Sequence, residues 1–188
     1  MNILETKIPD LKIIEPKVYS DSRGWFVETW QSERYEKALG CSKFVQDNMS
    51  CSKKGTLRGL HIQTPRQGKL VQVIQGEVFD VAVDLRHGSK TFGLYESMYL
   101  SETNKRQFWI PEGFAHGFYV TSETAVLSYK CTEYYNPKGD KTLAWDDPDI
   151  NIAWPCCLDG VKANPLTAPC LSDKDSQGLR LKELTWSL

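Results

Sequence analysis

The chain has 188 residues, of which 40% are hydrophobic and 25% charged. That is enough apolar material for one core and too much for a disordered chain. Lysine plus arginine number 23 and aspartate plus glutamate 24, and the net charge of -1 gives no global drive toward nucleic acid or an acidic membrane.

No apolar run approaches the roughly 18 residues of a membrane helix. The opening Met1 to Lys7 lacks the basic, apolar and small-residue segments of a signal peptide, so the cytoplasm is the expected compartment. Six cysteines, at 41, 51, 131, 156, 157 and 170, form no Cys-x-x-Cys. Reduced thiols are expected rather than a zinc site or a disulfide framework.

From about residue 11 to 135, short apolar or alternating runs are separated by Gly, Pro, Asn and Ser. This predicts an all-β chain, a sandwich or barrel of antiparallel strands. One helix is expected over Ser32 to Leu39, capped by Ser32 and ended by Gly40. In the next run, Gln46 and Asn48 share parity with Phe44. Arg58 and His61 have opposite parity, so both reach one cavity only if the strand is kinked, and Gly59 is where a bulge can do that.

Over Lys69 to Leu85 the apolar residues Val71, Val73, Phe79, Val81, Val83 and Leu85 fall on odd positions. Gln75-Gly76 between them reads as a tight hairpin turn. Lys69 shares parity with Val71 and Val73 and so points inward, which is costly without a partner or a task. Tyr129 shares parity with Ala125, Leu127 and Cys131, again inward; by itself a buried Tyr is usually a packing residue. From Asn136 onward five prolines punctuate a loop-rich segment. It is expected to wrap the same barrel, with a short helix after Ser172. The organisation is therefore one domain over 1–188, with a barrel core at about 11–155 and a wrapping tail at about 156–188.

There are three histidines. His87 sits in a polar turn and reads as surface. His61 and His116 lie in Gly-flanked segments, with Arg58 and Lys69 close to the first. A lone strand histidine is more often packed than functional, but two in such settings suggest proton transfer near neutral pH. Pro111 to His116 resembles the second motif of cupin barrels. Metal-binding cupins carry His-x-His in the first motif, where this chain has His61-Ile62-Gln63. Two histidines are too few to hold a metal well, and none is expected. No Gly-rich cofactor loop is present either.

Taken together, Asp21 to Phe26, Phe44 to Asn48, Leu57 to Gln63, Gly68 to Val71, Gly76 to Asp84, Ile110 to Phe118 and Trp145 to Pro148 are similar in order and spacing to the dTDP-4-dehydrorhamnose 3,5-epimerase family, metal-free cupins of deoxysugar synthesis. The resemblance covers roughly residues 1 to 180. It implies a nucleotide-linked 4-keto-6-deoxyhexose as substrate, inversion at carbons 3 and 5, and no cofactor. It implies His61 as the base, Asp175 as the carboxylate orienting it, Lys69 at the enolate oxygen and Tyr129 as the acid on the opposite face. Arg23, Glu28, Gln46, Asn48, Arg58, His116, Asp140 and Lys174 fall where the family binds substrate. Arg23 and Glu28 are implied to reach a partner's site in a homodimer built by strand exchange.

There are departures. The loop from Thr64 to Gly68 is short, Asp140 replaces a longer acid, and the stretch before Leu171 is long, which leaves Asp173 as a rival to Asp175. The chemistry is coherent without the family: an enolate needs a base, a cation or donor at oxygen, and an acid across the ring. A runner-up within the same chemistry is an enzyme that inverts only one carbon or uses another nucleotide sugar; alternatives from other classes are a sugar-nucleotide binder without activity and a metal-dependent oxygenase.

Overall fold

The computed structural model describes residues 1–40, 43–157 and 168–184. Strands β1 (Asn2–Glu5), β2 (Lys12–Glu15), β3 (Val18–Asp21) and β4 (Gly24–Val27) precede helix α1 (Ser32–Leu39). Then come β5 (Gln46–Lys53), β6 (Leu57–Ile62), β7 (Lys69–Gln75), β8 (Glu77–Asp84) and β9 (Tyr95–Ser101). They are followed by β10 (Gln107–Ile110), β11 (Phe114–Val120), β12 (Thr124–Cys131), the short β13 (Lys141–Thr142) and helix α2 (Asp173–Ser176).

Two sheets result, in the orders β1-β2-β10-β7-β12-β5 and β13-β6-β11-β8-β9, while β3 and β4 pair only with each other among the described residues. The paired strands are antiparallel, and strands distant in sequence lie side by side, as in a jelly roll. The sheets pack face to face through Val71, Val73, Phe108 and Leu127 on one side and Val78, Ala82, Phe114 and Phe118 on the other. Each such fully buried side chain contributes about 1.5–3 kcal/mol.

The outer faces are covered as well. Tyr35 and Leu39 of α1 lie on Ile14, Leu70 and Trp109 of the larger sheet. Beyond β13, Leu143, Ile152 and Trp154 cover Leu60, Val81 and Val83 of the smaller sheet, as expected of a wrapping segment. The short helix α2 follows Ser172, whose side chain accepts from the Asp175 N–H.

Three local expectations are corrected. Gln75-Gly76 is not a hairpin turn, because β7 and β8 belong to different sheets. Gly76, at φ 77°, carries the chain between them and exchanges the faces. Odd residues of β7 therefore face the intersheet core, and odd residues of β8 face the tail. Helix α1 is capped by Gln31, whose side chain accepts from Arg34 N at 2.7 Å, not by Ser32; Gly40 does end it, at φ 71°. Phe44 does not share a face with Gln46, because it precedes β5 and packs edge-on to Trp30 and Trp109 outside the sheet. Cys51, Cys131 and Cys170 carry reduced thiols, whereas Cys41 and the Cys157 side chain lie outside the described residues. No described helix is long and apolar enough to cross a membrane.

Candidate active site

Gly59 supplies the expected kink. Its φ is 110°, and a Cβ there would stand 2.6 Å from the His116 carbonyl and 2.7 Å from Gly117 Cα. The register of β6 against β11 shifts at this point. Three residues of neighbouring elements then come together around His61. Its Nε2 lies 2.6 Å from Asp175 Oδ1. Asp175 is buried and is itself held by Ser172 Oγ at 2.7 Å and Gly59 N at 3.3 Å. Burial pushes the Asp175 carboxyl up, but the bonds from His61, Ser172 and Gly59 prevail and hold it below its ordinary value.

His61 opens onto a cavity of about 310 Å³, and Lys69 and Tyr129 line the same cavity. They come from adjacent strands, Lys69 at the start of β7 and Tyr129 beside Val71 in the β12 ladder. Burial pulls the Lys69 ammonium down from its usual range, against the opposing effect of Cys131, Asp140 and Asp80. Burial raises the Tyr129 phenol, so it stays protonated at neutral pH. An imidazole held by a carboxylate, a lysine amine and a phenol thus line one cavity.

Gln46, Asn48 and Asp140 also line the cavity. Asn48 is bonded to Gln46 at 3.0 Å and to Cys131 Sγ at 3.5 Å. Lys174 does not line the wall but pairs with the Asp140 carboxylate. Arg58 is exposed, donates to Ser52 Oγ at 3.0 Å, and acts by its charge on Tyr129. His116 stands opposite His61 in the ladder but is only 6% exposed, with Nε2 3.0 Å from both oxygens of fully buried Asp80. Burial lowers its pKa despite Asp80. The implied ligand contacts Arg23 and Glu28 lie away from this cavity. Arg23 sits at the β3–β4 tip with its side chain 88% exposed and paired to Asp21; Glu28 is bridged to Arg34 at 3.0 Å. Exposed His87 is outside the site, as expected.

As for metals, the Nε2 of each site histidine faces a carboxylate, and the Gln63 amide is spent on backbone groups. This donor set is arranged for hydrogen bonding within the protein, not for converging on an ion.

Residues 5–183 match the family described as dTDP-4-dehydrorhamnose 3,5-epimerase. The chain belongs to that family. It is 50% identical over 181 residues to the Shigella flexneri protein of that name, covering 95% of this chain and 94% of the relative. It is also 50% identical to one from Neisseria gonorrhoeae, of whose length it spans 52%. A Legionella pneumophila epimerase crystallised with dTDP-4-keto-L-rhamnose superposes with a TM-score of 0.90 at 52% identity, over 98% of this chain and 94% of that one.

Within this candidate site, sequence reasoning missed Tyr135 and Gln67, both on the cavity wall. Tyr134-Tyr135 in a polar loop was the available signal: exposed adjacent aromatics at a strand end often meet a ligand. It also missed the task of buried Asp80, whose polarity inside an apolar run was the clue.

Proposed function

We propose that this epimerase inverts carbons 3 and 5 of dTDP-4-dehydro-6-deoxy-D-glucose and so forms dTDP-4-dehydro-L-rhamnose. The observation that carries the reading is the His61–Asp175 pair opening onto the cavity that Lys69 and Tyr129 line. His61 takes a proton next to the ketone, and the C–H electrons move onto the carbonyl oxygen. Lys69 steadies that oxygen. The enolate then collapses and forms a new C–H bond with the proton of Tyr129 on the other face. Nothing is oxidised or reduced, because the ketone is the electron sink.

Gln46, Asn48, Arg58, Asp140 and Lys174 are the proposed substrate contacts within the chain, and His116 contributes through atoms not engaged by Asp80. Arg23 and Glu28 act in a second copy's site in a strand-exchanged homodimer. Supporting this, β3–β4 pairs with no other described strand and exposes Tyr19, Trp25 and Phe26.

The test is incubation of the protein with the 4-keto sugar nucleotide in deuterated water. Deuterium at both carbons with inverted configuration is expected. Label at one carbon only would make it a single-centre enzyme, and no label would leave a binding protein.

A further inference from the structure

Three glutamines fasten one short stretch of backbone. Gln63 Nε2 donates to the Tyr134 carbonyl at 2.8 Å and to that of Pro65 at 3.1 Å, while its Oε1 accepts from Asn136 N at 3.2 Å. Gln67 Nε2 donates to the Glu133 carbonyl at 2.6 Å. Gln46 Oε1 accepts from Tyr135 N at 2.8 Å. Each residue from 133 to 136 thus has a main-chain group held by an amide side chain. The stretch lies outside any strand and has no ladder to fix it.

What it presents is Tyr135, 56% exposed, on the wall of the same cavity as His61. The Tyr135 hydroxyl donates to Asp140 at 2.9 Å, and Asp140 also holds Lys174. One edge of the ring is therefore tied, and its backbone is tied at four residues. Gln63 makes the most of these bonds and is 7% exposed. Only an amide can serve two carbonyls and one N–H from a single side-chain end. A carboxylate would face two carbonyls, and an apolar residue would leave three groups unpaired.

We propose that Gln63 is a positioning residue that presets Tyr135 and the Asp140 wall for the sugar nucleotide, so that affinity depends on it more than proton transfer does. This rests on the epimerase reading above. Ordering the wall in advance removes an entropy cost that binding would otherwise bear.

The experiment compares wild type, Gln63→Leu, Gln63→Glu and Gln67→Ala, each alone and with Tyr135→Ala. dTDP is the binding probe, measured by calorimetry, and turnover uses the 4-keto sugar nucleotide. Gln63→Leu should weaken dTDP roughly tenfold, with KM rising far more than kcat falls. That effect should vanish in the Tyr135→Ala background, since the two act through one ring. Amide exchange gives a readout without ligand: the Asn136 N–H should exchange at least about tenfold faster in Gln63→Leu. Should Gln63→Leu not fold, Gln63→Glu and Gln67→Ala carry the same comparison. Unchanged dTDP affinity, or an equal loss in both Tyr135 backgrounds, would overturn the proposal. A wild-type protein that neither binds dTDP nor turns over would instead remove the epimerase reading, and the exchange data would separate the two failures.

Discussion

Asp175 Oδ1 lies 2.6 Å from His61 Nε2 although 114 residues separate them. Helix α2 is too short to be stable alone. It is held because Ser172 caps it and because Asp175 also receives the Gly59 N–H. The tail thus delivers a buried carboxylate to a strand histidine.

The first prediction follows from that pair. Asp175→Asn keeps the shape but removes the charge that fixes the imidazole. kcat should fall roughly 10²-fold, within the range of a general base contribution, with little change in nucleotide affinity. Asp173→Asn alters an exposed residue and should stay near wild type. Stopped assays on both variants check this. A loss confined to Asp173→Asn would reverse the assignment.

The kinked strand gives the second. Gly59→Ala would place a Cβ 2.6 Å from the His116 carbonyl, at a φ of 110° that L residues avoid. Both contacts are backbone, so no side chain can swing away. A loss of about 3 kcal/mol is expected, read as a shifted urea midpoint. A midpoint within error of wild type would mean that β6 and β11 part without cost.

A kink at Gly59 was legible in the sequence, because a glycine stands between Arg58 and His61 of opposite parity, but it does not bring both to one cavity: His61 lines it and Arg58 does not. The inward Lys69 and Tyr129 were legible from parity alone. The Gln75-Gly76 crossing was not, because a turn between two apolar runs looks the same whether the strands pair or part. Parity cannot say which of two faces is the core when β8 is buried on both. Asp175 came from the family resemblance with Asp173 left as its rival, since the residues alone do not say which carboxylate of a single helical turn faces inward. The amide bonds of Gln63 fall on backbone groups 71 and 73 residues away, which no spacing rule reports.

The third prediction concerns stability and pH. Fully buried Asp84 accepts from Arg86, Thr91 and Ser89. Burial pushes its carboxyl up, yet these bonds outweigh burial and hold it at about 2. The folded value lies below the ordinary one, so the ionised form favours the folded state. The contribution, about 2 kcal/mol by linkage, is complete above about pH 4 and drains as pH falls toward 2. Asp84→Asn should cost roughly 2–4 kcal/mol at neutral pH, since it also leaves Arg86 without its buried partner. Urea titrations between pH 2 and 7 check this. The wild-type advantage should shrink as pH falls; an advantage that is constant with pH would dismiss the account.

The last prediction separates the two faces of the sugar. Inversion needs a proton taken from one side and returned to the other. Tyr129 lines the cavity with His61, and its raised phenol keeps the proton it would deliver. Tyr129→Phe removes that proton but nearly preserves the packing of the ring. His61 remains and exchanges protons with solvent, so it can still take a proton and return a deuteron on the same face. The variant should therefore exchange at least one carbon faster than it inverts it, with retained configuration in much of the labelled sugar. Proton NMR of the recovered sugar nucleotide scores label and stereochemistry at each carbon. If Tyr129 were only a packing residue, inversion and exchange would keep pace at both carbons. The returning proton would then have to come from another group on the cavity wall or from water.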